Sequence, residues 1–254
     1  MEPVDAPARE RSRGIYLLPN LLTTGGLFSG FYAILAAASG DFENACIAVL
    51  VAALFDGLDG RVARLTGTTS EFGVQYDSLA DLVSFGMAPS LVMYHWALAA
   101  FRGDGPLLAK AGWAAAFLYA ACAALRLARF NTQVGSTDKR WFIGLASPAA
   151  AGLMVSFVWA MTTFGYAGPG LRWAAMGITV AAGLLMVSRL RFWSFKGLPR
   201  PYRVPFIVPL LVVLLVAVLF VTQAKGLLAI TVAYALSGPA FWAWGRLRRK
   251  GSPP

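Results

Sequence analysis

Histidine and cysteine are scarce in this chain. Its 254 residues include one histidine, His95, and two cysteines, Cys46 and Cys122. A single histidine excludes a multi-histidine metal site and any mechanism that needs paired histidines. The two cysteines lie in apolar stretches and are not spaced as metal ligands or as a redox pair, so we interpret both as packing residues.

Charge is also sparse. Charged residues make up 13% of the chain and apolar residues 58%, whereas soluble domains carry about 25% charged residues. Long apolar stretches recur throughout, and about 20 helical residues are needed to cross the hydrocarbon core of a bilayer. The pattern predicts an all-α polytopic transmembrane bundle of about eight spans. The predicted spans are Leu17–Ala38, Asn44–Arg64, Gly73–Ala100, Leu107–Phe130, Leu145–Phe164, Trp173–Ser188, Val204–Thr222 and Leu227–Trp244.

The distribution of positive charge predicts the topology. With the N-terminus inside, only Arg102, Lys110, Arg172 and Lys225 of the 22 Lys and Arg residues face outward. Positive charge accumulates on cytoplasmic loops, so an even number of crossings with both termini cytoplasmic is expected. Six crossings would satisfy the same parity if two stretches were re-entrant. We interpret the net charge of +10 as anchoring to anionic lipid headgroups rather than as nucleic-acid binding.

The chain is expected to form one membrane domain. Residues 1–14 form a polar cytoplasmic segment, residues 15–245 the transmembrane domain and residues 246–254 a basic cytoplasmic tail. No small-residue cleavage site follows the first apolar run, so we do not interpret that run as a removable signal peptide.

Four of the 12 acidic residues form two closely spaced pairs. Asp56 and Asp59 are three residues apart, and Asp77 and Asp81 are four apart, so each pair shares one face of a helix. An eight-residue connection between Arg64 and Gly73 can return the chain as a helical hairpin that brings the pairs together. Four such carboxylates would repel one another without cations, and hard oxygen ligands favour Mg²⁺ or Mn²⁺. The pattern predicts a site for two divalent ions.

Small residues and one arginine flank the acids. Gly60, Ala63 and Gly73 would let a ligand approach the backbone closely, although small residues also permit close helix packing in membranes. Arg64 offers bidentate donors to a phosphate, although an arginine taken alone at such a position is more often an interfacial anchor.

The whole segment resembles the signature of the CDP-alcohol phosphatidyltransferases, Asp-x-x-Asp-Gly-x-x-Ala-Arg-x8-Gly-x3-Asp-x3-Asp. All eight signature residues are present, as Asp56, Asp59, Gly60, Ala63, Arg64, Gly73, Asp77 and Asp81. The resemblance implies that the first three aspartates are metal ligands, and that Asp81 approaches the metals and acts as the base. It also implies that Gly60, Ala63, Arg64 and Gly73 line the CDP pocket. Family members have a six-helix core, to which this chain would add two spans.

The similarity extends over residues 15–155 to the phosphatidylserine synthase branch. It is carried by Asp77–Pro89, Ala124–Asn131 and Phe142–Ala151. Gly26 stands where this branch often has Asn, and Ala146 where it often has Pro. The resemblance implies CDP-diacylglycerol and L-serine as substrates, and family members are homodimers.

Serine carries a carboxylate, which would need a cation near Asp81. Arg126 and Arg129 lie about 60° apart on the fourth predicted span, with Asn131 beside them and Ser84 one turn beyond Asp81. These four are the candidate acceptor-binding residues. Both arginines could instead be ordinary anchors, and Ser84 could bond its own helix.

We therefore expect an inner-membrane enzyme, with its site facing the cytoplasm, that transfers a phosphatidyl group to serine and releases CMP. One alternative is a sister enzyme that uses glycerol 3-phosphate, inositol phosphate or another alcohol. Two others are a cation transporter with an acidic intramembrane site and a non-catalytic lipid-binding scaffold.

Overall fold

The computed structural model describes residues 14–132, 141–193, 224–243 and 246. These residues are almost entirely helical. The α-helices are α1 Gly14–Ala38, α2 Phe42–Thr66, α3 Glu71–Asp81, α4 Ala88–Trp96, α5 Pro106–Thr132, α6 Ser147–Thr163, α7 Arg172–Val187 and α8 Ala224–Ala243. A π-helix, Leu82–Met87, joins α3 to α4, and 3₁₀ helices at Leu98–Asp104 and Gly168–Leu171 precede α5 and α7.

Apolar helices long enough to cross a bilayer confirm a helical membrane protein. Within the described ranges four segments qualify, namely Leu17–Ala38, Pro106–Thr132, Gly168–Val187 and Ala224–Ala243. A fifth, from Glu71 to Asp104, is bent by 43°. Helix α2 carries both Asp56 and Asp59, and α6 has only 17 residues, so length and composition alone do not make them spans.

Helices therefore occupy seven of the eight predicted spans. The remaining one, Val204–Thr222, lies outside the described residues, and the total of eight stays a prediction. The third predicted span is not one continuous helix. In the structure this region is helical from Glu71 to Trp96, with a π-helix after Asp81 that separates α3 from α4.

Two end caps shape the hairpin between α2 and α3. Helix α2 ends at Gly67, whose φ of 64° is a left-handed conformation that glycine adopts without strain. Helix α3 begins after Ser70, whose side chain accepts a 3.0 Å bond from the Gly73 amide. The helices continue up to these caps, so residues 67–70 alone make the connection, which is shorter than predicted.

The all-α prediction was wrong in one detail. Trp141–Ile143 and Arg191–Trp193 form a two-stranded antiparallel ribbon. Its strands lie beside the ends of α6 and α7, where the Gly144 amide donates to the Leu190 carbonyl at 2.8 Å. Strands of three residues are too short for an alternating pattern to mark them in the sequence.

Small side chains bring α1 and α2 together. Ala33, Ala37, Ala45 and Val49 are fully or almost fully buried between helices, and side chains of this size allow the close backbone approach typical of membrane helices. A short turn at residues 39–41 makes α1 and α2 antiparallel neighbours. The N-terminal half of α1 consequently lies beside the acid-bearing half of α2.

Candidate active site

Three of the predicted aspartates converge. Each of Asp56, Asp59 and Asp77 offers a carboxylate oxygen, and these oxygens lie within 4.8 Å of one another. Asp59 is only 5% exposed, and the other two are partly buried. The α2–α3 hairpin thus brings together carboxylates that are separated by up to 21 positions in the sequence.

The fourth aspartate borders the same space. Asp81 lies outside the three-carboxylate set, but it lines one cavity with those three residues. Helix α1, helix α2, helix α3 and the π-helix all contribute to the walls. The lining residues are Thr23, Gly26, Ala52, Asp56, Asp59, Asp77, Ala80, Asp81, Ser84 and Phe85.

Helix α1 supplies a hydrogen bond that the sequence did not predict. The Thr23 hydroxyl donates to Asp59 Oδ2 at 2.7 Å and also lies 3.1 Å from the Pro19 carbonyl of its own helix. Thr23 is 6% exposed. Its bond fixes one oxygen of Asp59, and the orientation of such a carboxylate depends on partners of this kind. The only sequence signal was a polar residue within an apolar span.

Asp77 carries a carboxylate oxygen that no described residue bonds. Its Oδ1 atom is buried and has no hydrogen-bond partner within the described part of the chain. A buried carboxylate oxygen without a donor is costly. Asp56, Asp59 and Asp77 together form an all-carboxylate donor set, which suits a hard divalent cation such as Mg²⁺ or Mn²⁺. The residues present therefore fit a divalent metal site.

The predicted CDP-pocket residues lie along the hairpin. Gly60 is one turn before Arg64, and a Cβ placed at Gly60 would come 3.6 Å from an Arg64 guanidinium nitrogen. Arg64 is exposed. A Cβ at Gly73 would lie 3.2 Å from Ser70 Oγ. Ala63 helps to end α2, because its carbonyl accepts the Gly67 amide.

Arg126 reaches the site from α5. Its Nη1 donates to the Ser147 hydroxyl at 2.9 Å, and Ser147 is fully buried. Its Nε is buried without a hydrogen-bond partner among the described residues. The guanidinium lies close enough to Asp81 for its charge to act on that carboxylate. Of the predicted acceptor residues, Arg126 is the one whose positive charge interacts with Asp81.

The other three candidates have protein partners. Arg129 Nη1 lies 3.5 Å from the Val187 carbonyl. Asn131 donates at 3.0 Å to the Ser78 hydroxyl, next to Asp77 in the chain. Ser84, only 2% exposed, lines the cavity, but its hydroxyl donates to the Gly26 carbonyl at 3.0 Å.

Comparison with known proteins decides the family. The family model described as CDP-alcohol phosphatidyltransferase matches residues 16–185, which include both acid pairs. The chain belongs to the CDP-alcohol phosphatidyltransferase family. The prediction from the eight-residue signature is confirmed, and with it the assignment as a transferase enzyme.

Several relatives carry more specific names. The chain is 42% identical over 182 residues to a CDP-diacylglycerol–serine O-phosphatidyltransferase of Helicobacter pylori, and the match covers 72% of this chain and 74% of the relative. A Mycobacterium leprae protein of the same name is 34% identical over 190 residues, covering 72% and 60% respectively. An archaetidylserine synthase of Methanothermobacter thermautotrophicus is 38% identical over 177 residues, covering 69% of each chain.

Proposed function

We propose that this protein transfers the phosphatidyl group of CDP-diacylglycerol to L-serine, forming phosphatidylserine and CMP. The observation that best supports this proposal is the convergence of the Asp56, Asp59 and Asp77 oxygens within 4.8 Å in a member of this family. The names of the relatives support serine as the acceptor, because two of those quoted are serine phosphatidyltransferases and the third is an archaetidylserine synthase.

Asp56, Asp59 and Asp77 would hold the divalent ions, with Asp81 at the edge of the set. Asp77 Oδ1, which has no hydrogen-bond partner among the residues that the structure describes, supports this assignment. Two Mg²⁺ or Mn²⁺ ions would neutralise charge on the pyrophosphate and the leaving group. The protein's contribution is to hold the carboxylates in place, which the Thr23 bond does for Asp59.

Asp81 is the proposed base. The serine hydroxyl oxygen bonds to the lipid-side phosphorus of the donor, and the bond from that phosphorus to the CMP oxygen breaks. The hydroxyl proton passes to Asp81, and CMP leaves with the electron pair of the broken bond. Asp81 suits this role because it lines the cavity without belonging to the three-carboxylate set.

Substrate contacts are assigned to residues near the acidic cavity. Gly60, Ala63, Arg64 and Gly73 would bind the CDP moiety, and the exposed Arg64 is available to a phosphate. Arg126 would bind the serine carboxylate, since its Nε has no protein partner within the described residues. Arg129, Asn131 and Ser84 would support the acceptor pocket through their helix contacts rather than through direct charge pairing.

The remaining organisation is also part of the proposal. We infer eight spans in one domain over residues 15–245, cytoplasmic termini, and a homodimer in the inner membrane. The α2–α3 connection follows Arg61 and Arg64, and positive charge of this kind favours the cytoplasmic side. The site would then meet CDP-diacylglycerol, serine and metal ions where all three are present.

One assay tests the reaction and the acceptor together. Purified full-length protein in detergent with Mn²⁺ is given CDP-diacylglycerol and one of serine, glycerol 3-phosphate or inositol phosphate, and CMP is measured. CMP release from CDP-diacylglycerol that occurs with serine but with neither of the other alcohols, and that excess chelator stops, supports the proposal. Release with another alcohol alone would reassign the acceptor. Metal flux in vesicles without CMP release from any mixture would favour a transporter and refute the enzyme.

A further inference from the structure

Proline at position 89 requires an irregular backbone immediately after the acidic residues. In a continuous α-helix, residue 89 would donate its amide to the Phe85 carbonyl, but proline has no N–H and its ring presses on that carbonyl. The chain widens instead. Residues 82–87 form the π-helix, and the Ala88 amide reaches back five residues to the Val83 carbonyl. Such single π-helical turns are frequent at functional sites.

A side chain from another helix supplies a donor that the proline lacks. The hydroxyl of Tyr119, on α5, donates to the Phe85 carbonyl at 3.0 Å. Tyr119 is fully buried, so this hydroxyl would be costly without a partner. A phenylalanine would fill the same space without providing the bond.

The π-helix is held from the opposite side as well. Ser84 donates to the Gly26 carbonyl of α1 at 3.0 Å. A Cβ at Gly30 would come 2.7 Å from the Ser84 Cα atom, so the two helices touch through their backbones. Two consecutive residues of the widened turn are thus bonded to neighbouring helices. Ser84 bonds to α1, and the Phe85 carbonyl bonds to Tyr119 of α5.

Asp81 is the residue immediately before this turn. A widened turn rotates the following helix by about 100° relative to a continuous α-helix. The position of the turn therefore decides how the Asp81 end of α3 faces the cavity while α4 packs into the bundle. The turn itself contributes Ser84 and Phe85 to the cavity wall.

We propose that Tyr119, through its buried hydroxyl, is a positioning residue of this site. It bonds the carbonyl that Pro89 cannot bond, holds the π-helix in place, and so fixes the Asp81 carboxylate relative to Asp56, Asp59 and Asp77. The role rests on the proposed function, because Asp81 is there the base. Tyr119 itself is not among the residues that line the cavity.

The test compares Tyr119→Phe with Thr179→Val in the full-length protein. Thr179 is also fully buried, but its hydroxyl bonds the Ala175 carbonyl of its own helix. Tyr119→Phe should lower kcat for CMP release at least about tenfold, because small displacements of a catalytic group are costly. Its KM for CDP-diacylglycerol should stay within about twofold. Thr179→Val should keep the wild-type kcat.

Hydrogen exchange gives a second measurement that needs no turnover. Tyr119→Phe should speed amide exchange in peptides covering residues 82–90, and Thr179→Val should not. In a Pro89→Ala background, residue 89 has an N–H of its own, so the same change should have a smaller effect on exchange. Equal acceleration in both backgrounds would overturn the link between Tyr119 and the proline.

The outcomes separate this inference from the reaction it serves. A wild type that releases no CMP with any alcohol refutes the proposed function. A wild type that turns over while Tyr119→Phe keeps its kcat within about twofold refutes only the positioning role. Loss of kcat without any change in exchange would also refute it, since the hydroxyl would then act by some route other than the π-helix.

Discussion

Thr23→Val is the sharpest probe of how the acids are held. The substitution keeps the shape of the side chain and removes the hydroxyl that donates 2.7 Å to Asp59 Oδ2. Both residues are almost fully buried, at 6% and 5% exposure, so water does not easily replace the lost donor. Asp59 would keep its charge and lose the bond that sets its orientation.

The size of the effect follows from the kind of bond. A hydrogen bond to a charged group contributes about 1.5–3 kcal/mol, and removal of a bond that orients a metal ligand costs about 10–100-fold in metal affinity. We expect the Mn²⁺ concentration that gives half-maximal CMP release to rise by about that factor. The maximal rate at saturating Mn²⁺ should change less, because a high metal concentration restores occupancy.

Ser29→Ala is the matched control. Ser29 lies on the same helix, is 8% exposed, and donates to the Gly25 carbonyl of its own helix at 2.9 Å. Its removal should leave the metal dependence at the wild-type value. If Thr23→Val and Ser29→Ala give the same half-saturating Mn²⁺ as the wild type, Asp59 is not a metal ligand oriented by Thr23, and the site assignment fails.

Three further changes test other parts of the site. Asp81→Asn should abolish CMP release and leave CDP-diacylglycerol binding intact. Its control, Glu71→Gln, changes an exposed acid and should behave as wild type. Equal loss of turnover and binding in Asp81→Asn would contradict the base role. Arg126→Ala should raise the KM for serine more than that for the donor, and Arg126→Lys should not restore it because lysine lacks the bidentate geometry; an unchanged serine KM would make Arg126 an anchor. Gly30→Ala should lower the free energy of unfolding by about 1–3 kcal/mol, since a Cβ would lie 2.7 Å from the π-helix backbone. Gly177→Ala should not lower it, because Gly177 has open space around it. Equal thermal midpoints for the two variants would refute the contact at Gly30.

Local spacing in the sequence was enough to predict part of the site. The intervals within each acid pair determine a shared helix face in any α-helix, and the proximity of Asp56, Asp59 and Asp77 agrees with that prediction. Gly67 and Ser70 are ordinary capping residues, so a close reading of the caps would also have predicted the shorter connection. The shared helix faces and the caps depend on residues no more than a few positions apart, and the short connection then brings the two pairs together.

Contacts between distant helices could not be predicted in the same way. Thr23 and Asp59 are 36 positions apart, and Phe85 and Tyr119 are 34 apart. A proline such as Pro89 interrupts regular α-helical hydrogen bonding, but which side chain supplies the missing donor depends on how α5 packs. A threonine or tyrosine in an apolar helix looks the same in the sequence whether it faces lipid or a buried partner.

The position of α1 explains how a helix without any acidic residue controls an acidic site. Thr23 bonds Asp59 on α2, and the Gly26 carbonyl, one turn further along, accepts from Ser84 beyond Asp81. The same helix therefore contacts both sides of the cavity. Gly26 also lines the cavity, where the missing side chain leaves space that an asparagine would occupy. Thr23 and Gly26 lie three residues apart on α1, so a single turn of this helix bonds both Asp59 of α2 and the π-helix that follows Asp81.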